Sequence, residues 1–483
     1  MPVILVLDIG TTTMRAALVD EHLDVVDLEA TAMPPSTPFP GLVEFDAAAM
    51  ATAAVDAATT LIGRGPPPVA VGIANQRAST IVWDRATGTP IGPGIGWQDL
   101  RTVFDCITAK SEHGLSIAPN QSITKLAWLL ANVAGSTTDL CFGTVDSWLT
   151  WTLTGGAVHV TDQTNAAVTG LCGVQPGSWS EEHAGLFDVP MELLPRIVDS
   201  SGVVGTATVL PGGPPIAALV GDQQASLVGQ GCVRPGQAKI TFGSGGMLDL
   251  CTGPVPPVSQ QRAEHGTYPI VAWSRDGMVT WGTEAIMLSA GTNVQWLVED
   301  LGLIASPAAS HEVAASVAST DGVTYVPALL GLGTPRWDFG ARGTLLGVTR
   351  GTTAAHVVRA VLDGVAQRAV DLVEAAESDT GLAIGTLRVD GGMSRNPTFV
   401  QAVADLSGRS VEVSPIAEAT TLGAAFLAGL AVGTWQNVDE AADLWRPKVI
   451  TEPGTDRTAD RAMWIEAVDR SAEWIPELSA LDF

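Results

Sequence analysis

A short stretch near the start of the chain has the residue types of a phosphate-binding loop. Residues 5–13 read LVLDIGTTT, an apolar strand that ends near an aspartate and continues into glycine and hydroxyl residues. Glycine lets the backbone approach a charged group, amides and hydroxyls donate to phosphate oxygens, and a carboxylate can hold hydrated magnesium. A plain hairpin turn would have a similar composition. The candidate residues are Asp8, Thr11, Thr12, Thr13 and the nearby cation Arg15.

A second carboxylate, Asp222, follows a second apolar strand. Residues 215–225 read PIAALVGDQQA, so this strand delivers Asp222 to the start of a helix, where the helix N-terminus stabilises a carboxylate. Aspartate is also a preferred N-cap, and capping alone would explain it. Together with Asp8, it forms the pair that phosphoryl transfer needs, one acid for the metal and one to accept the proton of the attacking hydroxyl. We predict Asp222 as the general base, and Asp8 and Asp222 as the metal-binding acids.

A similar hairpin opens the second half of the chain. Residues 238–250 read AKITFGSGGMLDL, a strand, a Gly/Ser turn and a second strand, as in residues 5–20. Two such hairpins indicate a duplicated architecture with a nucleotide in the cleft between the halves, although two unrelated hairpins remain the alternative.

The elements around these hairpins are those of an α/β protein. Short apolar strands alternate with helical stretches and Gly/Pro turns. We expect a helix over residues 353–374, a strand over 387–390 that ends in an acid and paired glycines, and a helix opened by Asn396. A run of small residues over 421–429 predicts a closely packed helix.

Composition limits the class of protein. The chain has 483 residues, is 46% hydrophobic and 16% charged, can bury a large core and is long enough for two or more domains. Its 51 acidic and 25 basic residues give a net charge of −26, which disfavours binding to nucleic acid or an anionic membrane. The five cysteines have no C-x-x-C spacing, which fits a reducing cytoplasm, and no signal peptide or membrane anchor is expected.

With these motifs the chain resembles the FGGY carbohydrate kinases along nearly its whole length, and within them it is most similar to the glycerol kinases. The resemblance implies an α/β fold with two actin-like (ribonuclease H-like) ATPase domains around a central cleft, residues 1–230 and 231–483. It also implies use of ATP and Mg²⁺, a small polyol or sugar as acceptor, and a homodimer or homotetramer. The matching segments include DIGTTTMR at 8–15, NQR at 75–77, WQ at 97–98, FGTVD at 142–146, GDQQA at 221–225, FGSG at 242–245 and DGG at 390–392.

The resemblance also assigns roles to single residues. It implies that Arg77, Trp97 and Gln223 bind the acceptor beside Asp222, with tryptophan as an apolar wall. It places Thr11 near the transferred phosphate and Arg15 on the nucleotide phosphates. On the nucleotide side the matching positions are Ser244, Gly291, Gln295, Gly392 and Asn396.

Two positions depart from the glycerol kinase pattern. Ala78 stands where those enzymes have a glutamate that holds polyol hydroxyls, and Asn120 stands where they have a tyrosine that covers the substrate. Because both changes empty the acceptor pocket, we expect a larger or differently oriented acceptor than glycerol, such as a tetritol, a pentitol or a ketopentose. Loss of one charged hydrogen bond costs a few kcal/mol, so we expect weak use of glycerol. Residues 210–214 also lack the basic residue and the histidine used in family regulation, so we expect no control by fructose bisphosphate.

Two other classes of function compete with this interpretation. An actin-like nucleotide switch would keep the phosphate loops, but it would have no use for a polyol-binding arginine at position 77. A P-loop or protein-kinase mechanism would need a G-x-x-x-x-G-K-S/T or an H-R-D sequence, and the chain has neither.

Overall fold

The computed structural model describes residues 2–135, 139–173, 177–259, 261–415 and 419–481. The strands are β1 (Val3–Ile9), β2 (Thr13–Asp20), β3 (Val25–Ala32), β4 (Glu44–Phe45), β5 (Ala70–Asn75), β6 (Ile81–Asp84), β7 (Gly94–Ile95), β8 (Leu140–Gly143), β9 (Val160–Asp162), β10 (Arg196–Val198), β11 (Ser201–Thr206), β12 (Pro215–Gly221), β13 (Ala238–Phe242), β14 (Gly246–Gly253), β15 (Tyr268–Arg275), β16 (Met278–Met287), β17 (Thr324–Val326), β18 (Thr344–Leu346), β19 (Thr386–Asp390), β20 (Ser410–Val413) and β21 (Val449–Thr451).

The helices lie between these strands and after the last one. They are α1 (Ala47–Arg64), α2 (Val103–His113), α3 (Ser122–Asn132), α4 (Val145–Leu153), α5 (Gln163–Ala166), α6 (Glu181–Leu186), α7 (Asp222–Gly229), α8 (Gly291–Glu299), α9 (Ala309–Ala315), α10 (Ala354–Thr380), α11 (Pro397–Ser407), α12 (Ala419–Val432), α13 (Asp439–Leu444), α14 (Thr458–Ser471) and α15 (Pro476–Ser479), with short 3-10 helices at Met191–Leu193 and Gly392–Arg395.

The two halves of the chain repeat one strand order. In the first half β1 pairs antiparallel with β2 and parallel with β5, β2 pairs antiparallel with β3, and β5 pairs parallel with β12. In the second half β13, β14, β16, β19 and β20 repeat this pattern, with β13 in the place of β1. The duplication predicted from the two hairpins is confirmed.

The halves join in one sheet of 13 strands through β11 and β15, which pair in parallel at Ser201 and Arg275. Following the pairings from β12 through β11, β15, β16 and β14 to β13 shows that β13 runs in the same sense as β1 and β12. Both hairpin turns and the carboxyl ends of β5, β12 and β19 therefore lie on the same edge of the sheet. In α/β proteins this edge is where ligands bind.

Helices α7 and α12 pack against each other where the halves meet. The space between them is so small that a Cβ atom at Gly423 would overlap the carbonyl oxygen of Ala225, and one at Gly229 would overlap that of Ala419. The small-residue helix predicted at 421–429 is thus confirmed, and its short side chains allow this close contact.

The core consists of the apolar faces of both sheet halves and their helices. The buried side chains of β1, β5 and α1 form a core on the first half, and those of β13, β14 and α10 form a core on the second. Within the described part of the chain, the structure contains no helix that is long and apolar enough to cross a membrane.

Candidate active site

The first hairpin turn carries the predicted phosphate-binding hydroxyls. The backbone N–H of Gly10 donates to the carbonyl oxygen of Thr13 at 3.0 Å and closes the turn. Thr12 is exposed, whereas the hydroxyl of Thr11 accepts a hydrogen bond from the indole N–H of Trp97 at 3.1 Å. This hydrogen bond links the predicted phosphate loop to Trp97, the predicted apolar wall of the acceptor site.

Asp8 lies beneath this turn, at the end of β1. It is 4% exposed, and its Oδ2 accepts a hydrogen bond from the hydroxyl of Thr421 on α12 at 3.3 Å. Arg15 is its cross-strand neighbour, with Nη1 3.9 Å from the same oxygen. A cation and a carboxylate therefore lie side by side at the base of the turn that exposes Thr12, as a site for a hydrated metal and phosphate requires.

The second hairpin turn is held by the start of α8. The backbone N–H groups of Ala290 and Gly291 donate to the carbonyl oxygens of Ser244 and Gly243, at 2.7 and 2.9 Å. The side chain of Ser244 remains exposed, and Gln295 is exposed one turn further along α8. Gly291 and Ser244, two of the predicted nucleotide-side residues, are thus brought together.

The glycines after β19 allow a close approach to this second turn. Gly391 has a φ of 85°, and a Cβ atom there would overlap the carbonyl oxygen of Phe242. Gly392 is exposed at the start of a 3-10 helix. The side chain of Asn396 caps α11, accepting from the N–H of Phe399 at 3.1 Å and donating to the hydroxyl of Ser310 at 2.9 Å.

Asp222 begins α7 but does not cap it. The N-cap position is Gly221, without a side-chain capping bond, and Asp222 Oδ1 accepts from the N–H of the adjacent Gln223 at 2.8 Å. The N-cap position therefore belongs to Gly221, and Asp222 lies one residue inside the helix, where it accepts from one first-turn N–H. Its side chain is instead directed to Arg77, whose Nε is 3.6 Å from Asp222 Oδ1.

The Arg77 guanidinium is shared between two carboxylates. Its Nε faces Asp222, and its Nη2 donates to Glu284 Oε2 at 2.6 Å. Its Nη1 is buried and has no hydrogen-bond partner among the described residues. Since an unpaired buried donor is costly, this nitrogen is a natural position for an oxygen of the acceptor.

Burial shifts the pKa values of these two acids. Burial raises the pKa of Asp222 above its usual value, although the charge of Arg77 and the N–H of Gln223 act in the opposite direction. Burial also raises the pKa of Glu284, again against the pull of Arg77. A raised pKa suits a carboxylate that must take up a proton during the reaction.

Three charged residues that no sequence motif indicates face this site from the second half. Lys239, Asp249 and Glu284 are cross-strand neighbours on β13, β14 and β16 and are buried. Lys239 Nζ is 2.7 Å from Asp249 Oδ2 and donates to Gln223 Oε1 at 2.6 Å. The one available signal was a charged residue at each of three positions within otherwise apolar strands.

A buried lysine organises the outer wall of the acceptor side. Lys125 is fully buried, and its Nζ donates to the carbonyl oxygens of Trp97, Pro119 and Gln121 at 3.3, 2.9 and 3.2 Å. These bonds tie the segment before α3 to the segment that carries Trp97.

The two departures from the glycerol kinase pattern lie in different environments. Ala78 is 4% exposed and has a φ of 59°, and its carbonyl oxygen accepts from the hydroxyl of Ser122 at 2.9 Å. Asn120 is exposed. Position 78 is therefore part of the packed wall next to Arg77, whereas position 120 lies at the surface of the segment that Lys125 holds.

Comparison with known proteins agrees with this geometry. Residues 3–229 match the N-terminal domain of the FGGY family of carbohydrate kinases, and residues 238–432 match its C-terminal domain. The chain belongs to the FGGY family of carbohydrate kinases. The family predicted from the motifs is confirmed.

Relatives along the full length point the same way. The chain is 42% identical to a glycerol kinase of Aromatoleum aromaticum over 98% of this chain and 100% of the relative. It is also 42% identical to one of Dechloromonas aromatica, over 98% of each chain. Among solved structures, Plasmodium falciparum glycerol kinase with ADP has a TM-score of 0.90 at 29% identity and covers 98% of both chains.

The same comparisons decide the class of fold and of reaction. A Brucella ovis structure described as a xyloylose kinase has a TM-score of 0.85 at 25% identity, with 99% of both chains covered. The predicted α/β fold of two actin-like halves is confirmed. The chain is an ATP-dependent kinase of a small polyol or sugar, as predicted.

Proposed function

We propose that this FGGY kinase phosphorylates a primary hydroxyl of a polyol or ketose larger than glycerol, and that it works with ATP and Mg²⁺. The observation that carries the proposal is the position of Arg77, with one buried nitrogen unpaired and another facing Asp222. A hydroxyl held by this guanidinium would lie beside the carboxylate that must take its proton.

The step then follows from the residues around that hydroxyl. Asp222 accepts the proton while the hydroxyl oxygen forms a bond to the γ-phosphorus, and the bond from that phosphorus to the β-phosphate oxygen breaks to release ADP. Arg77 and Gln223 hold the acceptor, and Trp97 forms its apolar wall. The exposed hydroxyls of Thr12 and Ser244 are available to the phosphates from the two halves. Thr11, Thr13 and Arg15 complete the phosphate side in the first hairpin.

Magnesium fits the acids at this edge. Among the described residues there is no cluster of three or more metal-binding side chains. Mg²⁺ commonly keeps several waters and uses one or two carboxylates, which suits Asp8 at the end of β1 beside the first hairpin turn. We propose that Asp8 holds the hydrated ion, with Asp222 on the acceptor side. When bound, Mg²⁺ neutralises the charge on the phosphate oxygens.

The two halves divide this work. We propose that residues 1–230 carry the acceptor site and the base, and that residues 231–483 carry most of the adenosine pocket, with Gly291, Gln295, Gly392 and Asn396. We also propose that the enzyme is located in the cytoplasm and that it forms a homodimer or a homotetramer.

The acceptor is inferred from the wall beside Arg77. Ala78 has a buried methyl group where glycerol kinases have a carboxylate. The wall of the pocket therefore has one fewer group that can take a hydrogen bond from a substrate hydroxyl. A carboxylate removed from a polyol site weakens binding of its former substrate by a few kcal/mol. Glycerol is the second candidate, favoured by the curated relatives named glycerol kinase.

The test is ADP release by purified protein with Mg-ATP against glycerol, erythritol, threitol, xylitol, ribitol, arabitol, xylulose, ribulose and gluconate. We expect one strong acceptor with four or five carbons and weak turnover of glycerol. Saturation by glycerol at low concentration would overturn the acceptor assignment. Failure of every acceptor would overturn the kinase step and favour a nucleotide switch.

A further inference from the structure

The second half of the chain presents a row of three charged side chains to the acceptor site. Lys239, Asp249 and Glu284 lie directly opposite one another on β13, β14 and β16. Side chains of cross-strand neighbours project from the same face of a sheet. We call these three residues the charge row.

Each end of the charge row holds a side chain of the first half. Glu284 accepts from Arg77 Nη2 at 2.6 Å. Lys239 donates to Gln223 Oε1 at 2.6 Å, and it also contacts Asp249 and the hydroxyl of Thr241 at 2.7 and 2.9 Å. Arg77 and Gln223 are the two polar side chains assigned to the acceptor.

Packing alone gives little reason for such a row. Lys239 and Asp249 are fully buried, and Glu284 is 6% exposed. Buried ion pairs cost desolvation and are often no more stabilising than apolar side chains of similar size. Among the described residues, the side-chain hydrogen bonds from this row to the first half go to Arg77 and Gln223, which points to a role in the site.

We propose that Glu284 and Lys239 are positioning residues that hold Arg77 and Gln223 in their acceptor-binding orientations, and that Asp249 supports Lys239 as its ion-pair partner. Glu284 takes up one nitrogen of Arg77 and thereby directs the unpaired Nη1 towards the acceptor. Lys239 occupies the carbonyl oxygen of the Gln223 amide, which leaves its NH₂ group to donate to a hydroxyl. Because these contacts join the two halves, the acceptor site is complete only when the halves are together. The inference rests on the proposed function.

The first test is Glu284→Gln, which keeps the shape of the side chain and removes its charge. We expect the KM of the best acceptor to rise on the order of tenfold, with a smaller change in kcat and an unchanged Kd for ADP. Glu412→Gln is the matched control, because Glu412 is also a strand glutamate paired with an arginine, Arg388, at 3.2 Å. The control is expected to leave the acceptor KM unchanged.

A double-mutant cycle tests whether Glu284 acts through Arg77. The double variant Arg77→Lys with Glu284→Gln should have the same acceptor KM as Arg77→Lys alone, since the lysine variant already lacks the nitrogen that Glu284 positions. The proposal would be overturned if the double variant raised the acceptor KM by the product of the two single effects. It would also be overturned if Glu284→Gln had the acceptor KM of the wild type.

A second variant guards against failure to fold. Lys239→Met combined with Asp249→Leu removes both charges together, so neither charge is left buried without its partner. We expect it to raise the acceptor KM through Gln223 and to leave ADP binding unchanged, whereas an unchanged KM in a folded protein would overturn the role of Lys239. A wild type that phosphorylates no acceptor would refute the proposed function itself, while an active wild type with unaffected variants would refute only the charge row.

Discussion

Replacing Arg77 by lysine tests the acceptor site most specifically. The substitution keeps a positive charge near Asp222 and Glu284 but replaces a planar fork of donors with a single ammonium group. It removes the hydrogen bond assigned to Nη1, the buried nitrogen without a partner among the described residues. A hydrogen bond from a charged donor contributes ~1.5–3 kcal/mol. That range corresponds to a fall of about 10- to 150-fold in kcat/KM for the acceptor.

The assay is steady-state ADP release with the acceptor varied at saturating Mg-ATP. Arg64→Lys is the control, because Arg64 also contacts two carboxylates, Asp27 and Glu29, but its side chain is 43% exposed. Ion pairs at the surface contribute little, so this variant should behave as the wild type. If Arg77→Lys retained wild-type kcat/KM while ADP binding was normal, the assignment of Nη1 to the acceptor would be refuted.

Two further predictions concern Asp222, the proposed base, and Lys125, which holds the segment before α3. Burial raises the pKa of Asp222 above its ordinary value of 3.8, so its basic form is lost as the pH falls through this raised pKa. As the pH is lowered, kcat should therefore begin to fall at a higher pH than the pKa of an exposed aspartate. A kcat that stays constant down to that pKa would contradict the role of Asp222 as the base. Lys125→Met leaves three backbone carbonyl oxygens without their donor, which should lower the free energy of unfolding by about 2–4 kcal/mol. Denaturant unfolding measures the loss of stability, and the acceptor KM shows whether the acceptor side is disturbed as well. Lys448→Met, at an exposed position, is the control, and equal values for the two variants would contradict the prediction.

Local sequence patterns predicted the elements that carry the phosphate loops. The hairpin β1–β2 and the hairpin β13–β14 lie where the alternation of apolar residues and Gly-rich turns placed them. The helix expected at 353–374 extends from Ala354 to Thr380, and it ends at Gly381, which adopts the left-handed conformation. These features depend on neighbours in sequence, so the sequence is sufficient to find them.

Contacts between the halves could not be predicted in the same way. Glu284 and Arg77 are separated by 207 positions, and only the joined sheet brings them together. The same is true of Lys239 and Gln223, since their contact depends on where α7 begins relative to β13. The motifs therefore predicted Arg77 and Gln223 for the acceptor but gave no indication of Glu284 and Lys239, which contact them.

One local interpretation also needed the structure. The sequence left Asp222 open as either an N-cap or a base, because both patterns place an aspartate at a helix start. The structure assigns the N-cap position to Gly221, and Asp222 faces Arg77. The difference is one residue along the chain, which sequence patterns do not resolve.

Turnover by Asp222→Asn shows whether this carboxylate is the general base. This variant keeps the size of the side chain and removes the carboxylate that takes the proton. We predict a fall in kcat of about 10²- to 10⁴-fold with the best acceptor, and an ADP affinity equal to that of the wild type by calorimetry. Asp276→Asn, at an exposed position, is the control and should be fully active. Transfer at a near-normal rate by Asp222→Asn would contradict the account, because another group would then have to accept the proton.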